Sequence, residues 1–228
     1  MAQDEVVFLF DVDNTLLDND RVVADLMRHL EDAIGQRRQR RYWEIFESLR
    51  GELGYADYLG ALQRYRVENP RDFHILAVSH FLIGYPFANR LFPESLDVLE
   101  RARKFGRPVI LTDGDVVFQP LKVERSGLGD AAEQNVLIYI HKETELDDIA
   151  ARYPANHYVL VDDKVRILSA IKRAWGGHVT TVFPRQGHYA LDAQEVTKYP
   201  PPDLSIDRIG LMLQYDLPQL IVAGESNR

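Results

Sequence analysis

Carboxylates, threonines and lysines stand just past short apolar runs, the positions where the strands of a parallel sheet meet a ligand. The run Val6–Phe10 leads into Asp11-Val12-Asp13-Asn14-Thr15. Residues two apart on an extended chain face the same side, so Asp11 and Asp13 can address one ligand. Pro108–Leu111 leads into Thr112-Asp113-Gly114-Asp115, Val136–Ile140 into His141-Lys142, and Tyr158–Val161 into Asp162-Asp163-Lys164. Carboxylates supply nucleophiles, proton carriers and hard oxygen ligands for a hard cation. A hydroxyl and an ammonium add contacts for an anion.

The elements that must carry these residues form a doubly wound pattern. Continuous apolar, β-branched runs, including Val179–Phe183, indicate a parallel sheet covered on both faces. Ser95–Phe105, Val117–Arg125, Glu143–Arg152 and Arg166–Trp175 read as crossover helices. The expected fold class is therefore α/β, with a Rossmann-like core. About a hundred residues separate the first two strands, too many for one crossover. Residues 19–89 read as an inserted helical cap, with apolar spacing of three and four at Val23, Leu26, Met27, Leu30 and Ile34. Residues 1–18 and 90–228 then form the core, and Pro86 and Pro93 bracket the return to it. Beyond Tyr199-Pro200-Pro201-Pro202, a stiff connector, a short strand (Leu204–Ile206) and a helix (Ile209–Leu213) are expected.

Bulk properties narrow the function. A formal charge of −8 argues against a phosphate-backbone binder, so no nucleic-acid partner is expected. The run Arg37-Arg38-Gln39-Arg40-Arg41 then reads as a solvated helical face. With no cysteine, disulfides, thiolate metal sites and cysteine nucleophiles are excluded. Neither a signal segment nor a membrane-spanning length is evident, so the expectation is a cytoplasmic protein without a membrane partner.

In type and chain order, the set resembles the four motifs of the haloacid dehalogenase superfamily. Asp11, Asp13 and Thr15 match DxDxT, Thr112 the hydroxyl after a strand, Lys142 the lysine, and Asp162-Asp163 the acidic pair. The insertion falls where that family places its type 1 cap. The resemblance implies Asp11 as nucleophile and Asp13 as general acid, then general base. It implies phosphoryl contacts from Thr112, Lys142 and the N–H groups of Asp113 and Gly114, and Mg²⁺ on Asp11, the Asp13 carbonyl and Asp162–Asp163. Such chemistry is physically coherent, because a carboxylate attacks a phosphate dianion only where cations neutralise the site. Two positions depart from the pattern. Arg166 stands where many members carry a further acid, and Asp113 where the commonest carry asparagine.

The resemblance makes a phosphohydrolase acting on a small phosphorylated metabolite the expected function. Carbon–halogen cleavage has no oxygen leaving group to protonate, and Asp13 would have no task in it. A phosphonate hydrolase needs a cap lysine, and residues 18–89 contain none. A phosphomutase shares the scaffold, while a receiver-type phosphoacceptor orders its acids differently and leaves the cap unexplained. The competing reading of Lys142 is a solvated helix-opening residue, and Lys122, inside a helix beside Leu121 and Val123, is its rival for the lysine role. Lys164 reads as a helix start. Tyr42, Trp43, Tyr55 and Tyr58 read mostly as cap core, and His188 and Tyr189 as surface loop.

Overall fold

A computed structural model describes residues 4–217; the outermost parts of the expected core, 1–3 and 218–228, lie outside the described residues. Six parallel strands form one sheet in the order β3-β2-β1-β4-β5-β6. They are β1 (Asp4–Phe10), β2 (Arg107–Asp113), β3 (Val136–Tyr139), β4 (Ala155–Val161), β5 (Val179–Pro184) and β6 (Leu204–Ile206). The order turns at β1, which pairs with β2 on one side and β4 on the other. Strand periodicity explains the two-sided core. Val6, Phe8 and Phe10 enter one apolar cluster, and Val7 and Leu9 the other.

Between β1 and β2 lie α1 (Asn19–Ile34), α2 (Gln36–Leu53), α3 (Tyr58–Glu68), α4 (Ile75–Gly84) and α5 (Ser95–Arg103). Asp18 caps α1 by accepting the Arg21 N–H, and Val22, Leu26, Leu30 and Ile34 bury one face of that helix. Asp57 caps α3 through the Gly60 N–H. Helices α1 to α4 pack as one helical unit whose apolar residues continue into the Phe8–Phe10 face of the sheet. Two strands of chain connect the unit to the sheet side by side. The Asp18 N–H donates to the Arg90 carbonyl at 2.7 Å, and Leu17 bridges Leu91.

The remaining helices are α6 (Phe118–Ser126), α7 (Leu128–Ala131), α8 (Leu146–Arg152), α9 (Val165–Trp175), α10 (Gly187–Leu191) and α11 (Ala193–Val196). The helix expected over Glu143–Arg152 is divided. Lys142–Thr144 forms a 3-10 turn before α8, held by Thr144 Oγ1 donating to the His141 carbonyl and by Asp113 Oδ1 accepting the Lys142 N–H. The helix expected at Ile209–Leu213 is likewise a 3-10 stretch, Ile209–Gln214. No helix among the described residues is long and apolar enough to cross a membrane.

Candidate active site

Four neighbouring strands deliver the candidate residues to one edge of the sheet. Asp11 follows β1, Thr112 and Asp113 end β2, Lys142 follows β3, and Asp162–Asp163 follow β4. After β1 the backbone turns tightly, with the N–H groups of Leu16 and Leu17 both donating to the Val12 carbonyl. Asn14 takes a left-handed φ of 61° within this turn, a conformation asparagine tolerates. Gln186, just past β5, pins the same loop by donating to the Thr15 carbonyl at 3.0 Å. The Thr15 hydroxyl accepts the Asp163 N–H, which fixes β4's exit against β1's.

Lys142 lies at the centre, 1% exposed. Its Nζ donates to Asp11 Oδ1 at 2.6 Å and to the Leu111 carbonyl at 3.1 Å, and stands 2.7 Å from Asp162 Oδ2. Burial alone would push this ammonium down, but Asp11 and Asp162 hold it above the ordinary lysine range. The solvated-lysine reading therefore does not describe Lys142.

Asp11, Asp162 and Asp163 are buried, and each offers an oxygen within 4.8 Å of the others. Burial pushes the carboxyls of both Asp162 and Asp163 up, with Lys142 opposing at Asp162 and Lys164 at Asp163. Asp11 Oδ2 and both Asp163 oxygens are shut from solvent without a hydrogen-bond partner. Such orphaned oxygens are costly unless something cationic meets them. All donors are hard carboxylate oxygens, the set that suits Mg²⁺ or a similar divalent cation. The residues present therefore fit the metal that the family resemblance implies.

At β2, Thr112 is buried and its hydroxyl accepts from Gln119 Nε2 at 2.8 Å, so its own hydrogen remains to donate elsewhere. Gly114 does not match its expected role. Its N–H donates to the Tyr139 carbonyl at 2.9 Å and is thereby committed to the β2–β3 junction. Asp113 has a role that its chain position did not reveal. Its Oδ1 accepts the Lys142 N–H at 2.8 Å and so holds the turn that aims Lys142. Burial pushes the Asp113 carboxyl up to about 6, against the pull of Lys142.

Above this buried layer lies a cavity of about 730 Å³ between the helical unit and the sheet edge. Asp13 and Asp113 line it on one side, and Trp43, Phe46, Arg50 and Tyr55 on the other. Asp11, Thr112, Lys142, Asp162 and Asp163 are each at most 3% exposed. Arg50 is paired with Glu47 at 3.1 Å. Lys164 occupies the helix-start position before α9, as expected, yet it also lines the cavity, with Nζ 5.5 Å from the Tyr189 ring centroid. His188 and Tyr189 line the cavity too, His188 tied through Nδ1 to Asp20 at 2.6 Å. Arg166, the departure from the acidic pattern, pairs with Glu143 at 2.5 Å. Among the arginines of α2, Arg38 pairs with Asp72 and Arg41 with Glu68 and Glu44.

Lys122 is the residue whose importance sequence reasoning understated. It lies inside α6, as expected, but is 1% exposed, and its Nζ meets Asp13 Oδ1 at 2.5 Å. A signal existed. Phe118, Lys122 and Ser126 recur at helical spacing, with Gln119 and Val123 beside them, and these five form the buried face of α6. A lysine on such a face needs an anionic partner.

The chain matches a family model described as haloacid dehalogenase-like hydrolase over residues 6–174. Among solved structures, a haloacid dehalogenase-like hydrolase from Burkholderia xenovorans LB400 is 59% identical, with a TM-score of 0.90 over 95% of this chain and 98% of that one. The hydrolase YfnB from Bacillus subtilis, described as bound to magnesium, is 14% identical, with a TM-score of 0.62 over 93% and 98%. An L-2-haloacid dehalogenase from Xanthobacter autotrophicus is 18% identical, with a TM-score of 0.57 over 96% and 98%. At those identities the last two show the fold alone. No curated protein matches the chain.

Proposed function

The chain belongs to the haloacid dehalogenase-like hydrolases, and from that premise we propose that it hydrolyses a small phosphorylated metabolite through a phosphoryl group carried on Asp11. The observation that carries this reading is the pairing of a second acid with the buried cation-seeking cluster. Asp13 faces the cavity two residues after Asp11, beside a buried cluster of three carboxylates in which Asp11 and Asp163 carry orphaned oxygens. Phosphate ester cleavage uses both features, whereas carbon–halogen cleavage calls for neither.

Bound Mg²⁺ would be held by Asp11, Asp162, Asp163 and the Asp13 carbonyl, and would supply charge neutralisation for the phosphate dianion. The rest falls to the chain's own groups. Lys142 takes Oδ1 of Asp11, which orients the carboxylate and leaves Oδ2 for other partners. An oxygen of Asp11 attacks phosphorus, and the bond from phosphorus to the leaving oxygen breaks. Asp13 gives that oxygen a proton, so an alcohol departs rather than an alkoxide. Asp13 then removes a proton from water. The water oxygen attacks phosphorus, the bond to Asp11 breaks, and phosphate leaves. Thr112 and Lys142 stabilise charge on the transferring oxygens. The helical unit over the cavity excludes bulk water and admits only small esters.

The test is p-nitrophenyl phosphate turnover with Mg²⁺ and with EDTA, for wild type and Asp11→Asn, with a 2-haloacid run in parallel. Metal-dependent phosphate release that Asp11→Asn abolishes is expected. Halide release without phosphate release, or equal rates in the variant, would refute it.

A further inference from the structure

Lys122 is a buried ammonium to which the chemistry above gives no task. Its Nζ donates to Asp13 Oδ1 at 2.5 Å and to Asn19 Oδ1 at 3.1 Å, and lies 5.3 Å from the centroid of the Phe118 ring. Asn19 is the first residue of α1, and Tyr58 is the first residue of α3. The Tyr58 ring packs on Phe118 at 5.0 Å and on Phe46 at 4.7 Å. The surroundings of this one ammonium thus come partly from α6 and partly from helices of the unit that covers the cavity.

We propose that Lys122 is a positioning residue: it fixes the Asp13 carboxylate for proton transfer, and holds it fully only while α1 and α3 are docked over the site. The inference rests on the reading of Asp13 as the proton carrier. A general acid must stay within hydrogen-bond reach of the leaving oxygen. Asp13 lies in a loop, faces an open cavity and has a side chain 24% exposed, so its torsions need restraint. Lys122 engages Oδ1 while Asp13 still borders the cavity. Through Asn19 in α1, and through the Tyr58 ring packed on Phe118, displacement of the helical unit would loosen the ammonium and with it the acid. Proton transfer is then best supported when the substrate is enclosed. A purely structural lysine would satisfy the same burial, but its loss would weaken catalysis without regard to the leaving group.

The experiment compares kcat/KM for an alkyl phosphate and for p-nitrophenyl phosphate, with Mg²⁺, in wild type and Lys122→Met. A p-nitrophenolate departs unprotonated, whereas an alkoxide needs the acid. The loss on the alkyl ester is expected to exceed that on the aryl ester by about tenfold or more. In an Asp13→Asn background, Lys122→Met should cost nothing further on the alkyl ester. Asn19→Ala keeps the Lys122–Asp13 pair, removes the ammonium's hydrogen bond to α1, and should show the same discrimination at smaller size. It also serves as the test if Lys122→Met does not fold. Equal losses on the two esters, in an enzyme whose wild type is active, would overturn the positioning role alone. A wild type inactive on every ester with Mg²⁺ would overturn the functional reading and this role with it.

Discussion

Replacing Asp113 by asparagine should make the metal-free protein more stable at neutral pH, by an amount that depends on pH in a defined way. Asparagine keeps the oxygen that accepts the Lys142 N–H, so the turn after β3 stays anchored. It removes a carboxyl that burial pushes from 3.8 up to about 6. The unfolded chain releases this proton near 3.8 and the folded chain near 6. Between those values the folded state holds the extra proton, and wild-type stability falls as pH rises. Two pH units of difference correspond to about 3 kcal/mol. This is a ceiling, because Asp113 is partly exposed and borders the cavity. Asp162 and Asp163 also titrate upward, but they are common to both proteins and cancel in the difference. Urea unfolding in EDTA from pH 3.5 to 7.5 reads that difference directly. The variant's advantage should be smallest at the acid end and level off above pH 6. A difference that stays flat, or that grows toward acid pH, would refute the assignment of Asp113 as a carboxyl destabilised by burial.

Two other perturbations test the same geometry. Lys142→Met strands Asp11 and Asp162 beside each other without their shared cation, and should cost the metal-free protein about 3–5 kcal/mol. Urea unfolding with and without Mg²⁺ should show the divalent cation restoring part of that loss, and equal stability of variant and wild type in EDTA would count against the pairing. Gly54→Ala adds a Cβ at a φ of +81°, within 2.7 Å of His141 Cε1, where α2 ends close to the sheet edge. Thermal unfolding should register a loss of about 1–2 kcal/mol, and KM should rise as the helical unit is lifted from His141.

Much of this architecture was legible because the sheet is buried on both faces. Strands with water on neither side are largely apolar or β-branched, as Val6–Phe10 and Val179–Phe183 are, and charged residues at strand ends then stand out. That contrast exposed Asp11, Thr112 and Asp162. The helical insertion showed itself by length and by four-residue spacing in α1. What composition and spacing hide is the partner of each charge. Asp113 is a weak phosphate ligand in sequence and a backbone anchor in three dimensions. Gly114 belongs to a sheet junction because β3 runs beside β2, a neighbourhood that no local pattern encodes. Lys122 needed α6's buried face to be read as strictly as a strand's. Its partner, Asp13, lies 109 residues earlier in the chain.

The strand order also accounts for why the central cation is a lysine. Asp11 follows β1, and the residue that meets it follows β3, with β2 between them. Two strand spacings amount to about 9–10 Å, beyond the reach of a histidine. Lys142 makes the crossing over the end of β2, where its Nζ takes the Leu111 carbonyl on the way to Asp11 and Asp162. The same span explains the burial. A long apolar stem fills the gap above β2, and only the ammonium meets polar atoms. An arginine would reach as far, but its planar fork spreads five donors where three suffice and where a carbonyl and two carboxylates converge on one point. Compact charge at the end of a flexible stem is what this junction of three strands can accommodate, and it leaves Asp11 Oδ2 and both Asp163 oxygens without a hydrogen-bond partner in a cluster whose carboxylates approach within 4.8 Å.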